Sequence, residues 1–110
     1  RDLQNFPLVC DVLDSAHFTY HFDLLVEGGA DGADSLALCW ASKNNVHVKT
    51  YPALWDMHGK KAGPIRNLQM LSAHPDAKVY AFPMQGSVGT RHCIEHALKR
   101  GHVVVVTECI

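Results

Sequence analysis

The residues of this chain that can do binding chemistry gather in three stretches, each with glycine beside polar or charged side chains. The first is Gly28-Gly29-Ala30-Asp31-Gly32-Ala33-Asp34. The second runs from Trp55 through Lys60 and Lys61 to Arg66 and Asn67. The third is Pro83–Thr90, which holds Gly86, Ser87, Gly89 and Thr90. Glycine lets a ligand approach the backbone closely. Where such a stretch opens a helix, the first N–H groups have no helical partner and the dipole favours anions. Asp31 and Asp34 repel a bare phosphate but accept from ribose hydroxyls, or else cap a helix. Lys60 and Lys61 offer charge to a phosphate, or are solvated loop charges. Arg66 and Asn67 fall just inside an expected helix N-terminus, where the dipole disfavours a cation. That misfit points to function. Trp55 is suited to stack on a base or to pack. Together the set suits a phosphate or a nucleotide.

Other candidates carry less. His92 and His96 stand four apart on one helix face, but no third ligand at sensible spacing accompanies them, so no metal site and no cofactor is expected. Cys93 lies close to a helix start, which can lower a thiol pKa. His58 is a loop histidine with acid–base capacity. No catalytic residue is assigned. The cysteines, Cys10, Cys39, Cys93 and Cys109, form no C-x-x-C pair. They suit buried thiols in a reducing cytosol better than a disulfide frame or a zinc site.

The elements that must position these residues alternate regularly. Asn5 caps a helix from Phe6 to about His17, with Phe6, Val9, Val12 or Leu13, and Ala16 at helical spacing. Phe18–His21 connects to a strand, Phe22–Glu27, whose continuous apolar core implies burial on both faces. A helix from Asp31 or Gly32 carries the stripe Ala33, Leu36, Ala37, Trp40 and ends at Asn44-Asn45. Val46–Tyr51 alternates apolar and polar like a strand near a sheet edge. Pro52–Gly63 reads as a long loop, a length usually reserved for function. Gly63-Pro64 starts a helix with Ile65, Leu68 and Leu71 or Ser72 inward, stopped by His74-Pro75. Lys78–Phe82 is a third strand. A last helix to Arg100 has Ile94, Ala97 and Leu98 on its core side and Gly101 at C′. Val103–Thr107 is expected to be a buried strand. The order α-β-α-β-α-β-α-β implies an α/β fold with a parallel sheet covered on both sides. In such a sheet the three chemical stretches all leave the strands' C-terminal edge, where ligands bind.

Totals narrow the function classes. The 110 residues suit one domain with a small core, 47% of them hydrophobic. A net charge of −1 gives no strong signal for a nucleic-acid partner. No apolar run approaches the ~20 residues of a membrane span, and the chain opens without a signal-peptide pattern. A cytoplasmic protein is expected.

The three stretches in order, GGADGAD, then W-D-M-H-G-K-K-A-G-P-I-R-N with Met70 four residues after Arg66, then AFP and GSVGT, resemble the SLOG superfamily in its YspA/YpsA-like branch. Relatives are the LOG hydrolases and the DprA/Smf proteins. The resemblance covers nearly the whole chain. It implies a single Rossmann-like three-layer domain over residues 1–110 that binds a nucleotide or nucleotide-derived small molecule. The site it implies comprises Gly28, Gly29, Asp31, Gly32, Asp34, Trp55, Lys60, Arg66, Asn67, Gly86, Ser87, Gly89 and Thr90. It also implies that Arg1-Asp2 follow a central first strand that four visible strands do not include, and that the protein self-associates as a homo-oligomer. The hydrolases of the superfamily carry a Glu three residues after the Thr of their PGG-x-GT-x-x-E motif. Cys93 holds that position here. Glu95 is two residues on, roughly 200° further round at ~100° per residue. N-glycosidic cleavage needs a carboxylate and a general acid. Non-catalytic binding or sensing is therefore the expectation, with a nucleoside-monophosphate N-glycosidase-like hydrolase and a protein-interaction scaffold as alternatives.

Overall fold

The computed structural model describes residues 6–29, 33–83 and 88–107. The elements are α1 (Phe6–Tyr20), β1 (Leu24–Glu27), α2 (Ala33–Lys43), β2 (His47–Thr50), α3 (Trp55–His58), a 3-10 turn (Gly59–Lys61), α4 (Ala62–Ala73), β3 (Val79–Ala81), α5 (Val88–Lys99) and β4 (Val104–Val106). They divide into two compact units, Arg1–Pro52 and Ala53–Ile110. Each unit contains one two-stranded parallel sheet, β1 with β2 and β3 with β4. The fold is thus mixed α/β with short parallel strands. Among the described residues the four strands form two pairs and no single four-stranded sheet.

In the first unit, Val9, Leu13 and Ala16 of α1 and Leu36, Trp40 and Ala41 of α2 are buried. Both sets repeat at helical spacing, so each helix turns one apolar stripe inward. The Trp40 indole N–H donates to Asp14 Oδ1 at 2.7 Å. Its ring meets His17 edge-on at 5.4 Å and Phe22 at 6.3 Å between centroids. His17 Nδ1 in turn accepts the Phe22 N–H at 2.8 Å. The helix α1 runs past His17 to Tyr20, longer than its sequence pattern predicts. The Thr19 hydroxyl bonds back to the Ser15 carbonyl, and the chain leaves the helix only at His21, whose φ is +58°. At the end of α2, Asn45 takes φ +57° and the Val46 N–H reaches the Ala41 carbonyl at 3.0 Å. This is a Schellman-type closure that aims the chain into β2.

In the second unit, Gly101 takes φ +86° and the His102 N–H bonds the Ala97 carbonyl at 3.0 Å, the same closure at the expected C′ glycine. The segment read as a loop, Pro52–Gly63, is instead largely helical. The N–H groups of Met57 and His58 both reach the Leu54 carbonyl, and Gly59, at φ +60°, breaks the turn. The helix α4 then starts at Ala62, ahead of Pro64. The proline still falls in the first turn, where its missing N–H has no partner to lose. The inward stripe of α4 is Gly63, Asn67 and Leu71, while Ile65 is 39% exposed. On α5, Ala97 is fully buried but Leu98, one residue round the helix, is exposed.

The strands are less buried than their sequences imply. Leu24 of β1 and Val105 and Val106 of β4 are exposed. A two-stranded sheet packed by few helices leaves strand faces uncovered that a wider sheet would bury. Among the described residues no helix is long and apolar enough to cross a membrane.

Trp40 anchors the first unit through packing and through one hydrogen bond, and these separate by substitution. Trp40→Ala should cost about 3–5 kcal/mol. Trp40→Phe, which keeps an aromatic ring but loses the bond to Asp14, should cost about 1 kcal/mol from the bond alone. Urea unfolding measures both. Wild-type stability in Trp40→Phe would show that the Asp14 bond contributes nothing.

Candidate functional site

The described part of the first glycine stretch is built around a buried carboxylate. Glu27 closes β1 and is 4% exposed. Its register partner across the sheet is Thr50. The Thr50 hydroxyl donates to Glu27 Oε2, and the Gly29 N–H donates to Oε1 at 2.6 Å. The Gly28 N–H donates to Asp34 Oδ2 at 3.2 Å. Two N–H groups that a phosphate loop would offer to a ligand are thus taken by the chain's own carboxylates. Gly29 is required here. Its φ is +72°, and an added Cβ would lie 3.2 Å from the Thr50 methyl. Asp31 and Gly32 lie outside the described residues.

In the second unit the centre is Asn67, 5% exposed on the inward stripe of α4. Arg66 Nε donates to Asn67 Oδ1 at 2.9 Å. Asn67 Nδ2 donates to the Gly89 carbonyl at 3.3 Å and lies 3.4 Å from His92 Nδ1. One carboxamide therefore ties the start of α4 to the first turns of α5. Trp55 is 58% exposed, and a Cβ added at Gly63 would touch its ring edge at 3.4 Å. Glycine at position 63 thus lets the indole lie against the first turn of α4. Lys60 is exposed and Thr90 half-buried. Gly86 and Ser87 lie outside the described residues. The structure thus brings Arg66, Asn67 and Gly89 into one network, as it does Gly28 with Asp34.

His92 joins the network although its sequence position suggested only a pair with His96. The two rings lie 4.3 Å apart between centroids, tilted by 42°. Burial pushes the His92 pKa down, the neighbouring His96 pushes it further, and Glu95 opposes both. Among the described residues no group of three metal-binding side chains occurs. Glu95 is exposed and 4.0 Å from Lys99 on the outer face of α5. Among the described residues Cys10, Cys39 and Cys93 form no disulfide, and Cys39 is exposed rather than buried as expected. Glu27, Thr50 and His92 were not singled out by sequence as site residues. Glu27 leaves a trace, a lone charge closing an apolar strand. Thr50 and His92 gain their roles only through register and helix packing.

The fold and the site define a mixed α/β protein with short parallel strands and a buried polar network between α4 and α5. The profile of the YAcAr family, described as the YspA, cpYpsA-related SLOG family, matches residues 1–58. The Gene 61 protein of Mycobacterium phage D29 is 42% identical over 97 residues, covering 84% of this chain and 77% of that protein. The chain belongs to the YspA, cpYpsA-related SLOG family. Membership suggests a nucleotide-related ligand-binding role at most. No solved structure matches it.

Gly29→Ala should lose about 1–2 kcal/mol from the left-handed backbone alone, measured by urea unfolding. A wild-type midpoint would show that the loop relaxes without cost. His92 gives a pH signature. Its folded pKa is below the ordinary 6.5, so folding is favoured in full above that pH and loses stability as pH falls below it. The melting temperature of wild type should therefore drop more between pH 7.5 and pH 5.5 (roughly spanning the unfolded imidazole pKa) than that of His92→Gln. Equal drops would remove His92 from the acid response.

Proposed function

We propose that the protein binds a nucleotide or nucleotide-derived small molecule through its anionic group and does not hydrolyse it. The observation that carries the reading is the Arg66–Asn67–Gly89 network. A guanidinium is held at 2.9 Å by a buried amide in the second turn of α4. A bound anion accepts charge-assisted bonds from a guanidinium positioned in this way. Family membership supports the nucleotide class. Phosphate is assigned to Arg66, Gly89 and Thr90, with Gly86, Ser87 and Lys60. The Gly28 and Gly29 N–H groups already have carboxylate partners, so the phosphate is assigned to the second unit and not to them. Trp55 offers an exposed ring for a base. The non-catalytic half of the reading is supported by Cys93 at the hydrolase Glu position and by Glu95, which faces Lys99 in solvent.

Purine nucleoside monophosphates should raise the melting temperature in proportion to the logarithm of ligand concentration. Arg66→Ala should weaken binding at least ~10-fold, or about 1.4 kcal/mol. Chromatography of the incubated mixture should show no free base. Base release that disappears in Arg66→Ala would make the protein a hydrolase. No shift with any phosphate-bearing ligand would favour a protein-interaction scaffold.

A further inference from the structure

The orientation of the Asn67 carboxamide is fixed by its neighbours. Arg66 Nε can only donate, so the atom facing it is Oδ1. The Gly89 carbonyl can only accept, so the atom facing it is Nδ2. Turning the amide over would set donor against donor and acceptor against acceptor. Nδ2 carries two hydrogens, and its other neighbour is His92 Nδ1 at 3.4 Å. That ring nitrogen must then present its lone pair. A neutral imidazole with an accepting Nδ1 carries its proton on Nε2. Protonating the ring would drive an Nδ1–H against the amide hydrogens, and burial and His96 oppose the cation as well.

Resting on the binding reading above, we propose that His92 contacts the ligand, presenting Nε2–H to an anionic oxygen of a phosphate or carboxylate. His92 is half-buried, with Asn67 Nδ2 near its Nδ1 and the His96 ring beside it. No described acceptor takes the Nε2 proton. Arg66 hangs from the other end of the same carboxamide. A cation and a neutral donor tied to one buried side chain match a group with several acceptor oxygens. The same geometry disfavours His92–His96 as a metal pair. A metal on Nε2 would force the proton onto Nδ1, against the Asn67 amide.

Two measurements on the full chain test this. Long-range proton–nitrogen correlation spectra at neutral pH should show His92 protonated on Nε2, with its nitrogen resonances moving on titration of a nucleoside monophosphate. By calorimetry, His92→Phe should weaken that ligand ~10-fold, about 1.4 kcal/mol. His92→Gln, which keeps a donor near the Nε2 position, should stay within about threefold of wild type, under 1 kcal/mol. Inorganic phosphate and a simple dicarboxylate identify the group. Response to phosphate species supports both readings, and response to the dicarboxylate alone keeps His92 as a contact while sinking the nucleotide reading. Wild-type affinity in His92→Phe, or an Nδ1-protonated ring, overturns the His92 proposal only. No resonance shift with any of the three overturns both.

Discussion

A polar side chain stays buried at low cost only while each of its polar atoms has a partner. Both units of this protein are organised at such a point. Glu27 is 4% exposed and Asn67 5% exposed. Glu27 accepts from a strand neighbour on one oxygen and from a loop N–H on the other. Asn67 accepts from Arg66 on one side and donates to the start of α5 on the other. Glu27 therefore ties β1 to β2 and to the glycine turn, and Asn67 ties α4 to α5. Losing one partner would leave a buried group unsatisfied, at about 1–3 kcal/mol.

The two junctions differ in electrostatics although their sequences look alike. Around Gly28 and Gly29 the backbone donors point at carboxylates, so the local surface is acceptor-rich. Around Asn67 the neighbouring side chains are a guanidinium and an imidazole. The proposed anion therefore falls to the second junction and not the first. Glycine richness alone does not make a phosphate site. The partners of the N–H groups decide, and these come from side chains several residues away in sequence.

Much of the fold was legible from local chemistry. The alternation of helices and strands, the parallel pairing, the inward Val9, Leu13, Ala16 stripe and the Gly101 terminus all follow from periodicity and backbone preference. The helical turn at Trp55–His58 was not, because a four-residue helix leaves no periodic pattern to read. On α4 the sequence pattern finds Leu71 but not the rest of the inward face, because Ile65 and Leu68 suggest one stripe while a glycine and an amide occupy another. An amide at an inward position is itself a signal of a site, visible once the stripe through Gly63 and Leu71 is known. The pairing of Glu27 with Thr50 and of Asn67 with His92 depends on register and helix contact, which one sequence does not encode locally.

The proposed site depends on the Asn67 carboxamide, which holds Arg66 on one side and faces His92 on the other. Asn67→Leu keeps the volume and the apolar stripe of α4 but removes every polar atom. Calorimetric titration of this variant with a purine nucleoside monophosphate tests the claim most directly. The account predicts cooperative unfolding with affinity reduced at least ~10-fold, about 1.4 kcal/mol. Wild-type affinity in a folded Asn67→Leu protein would contradict it.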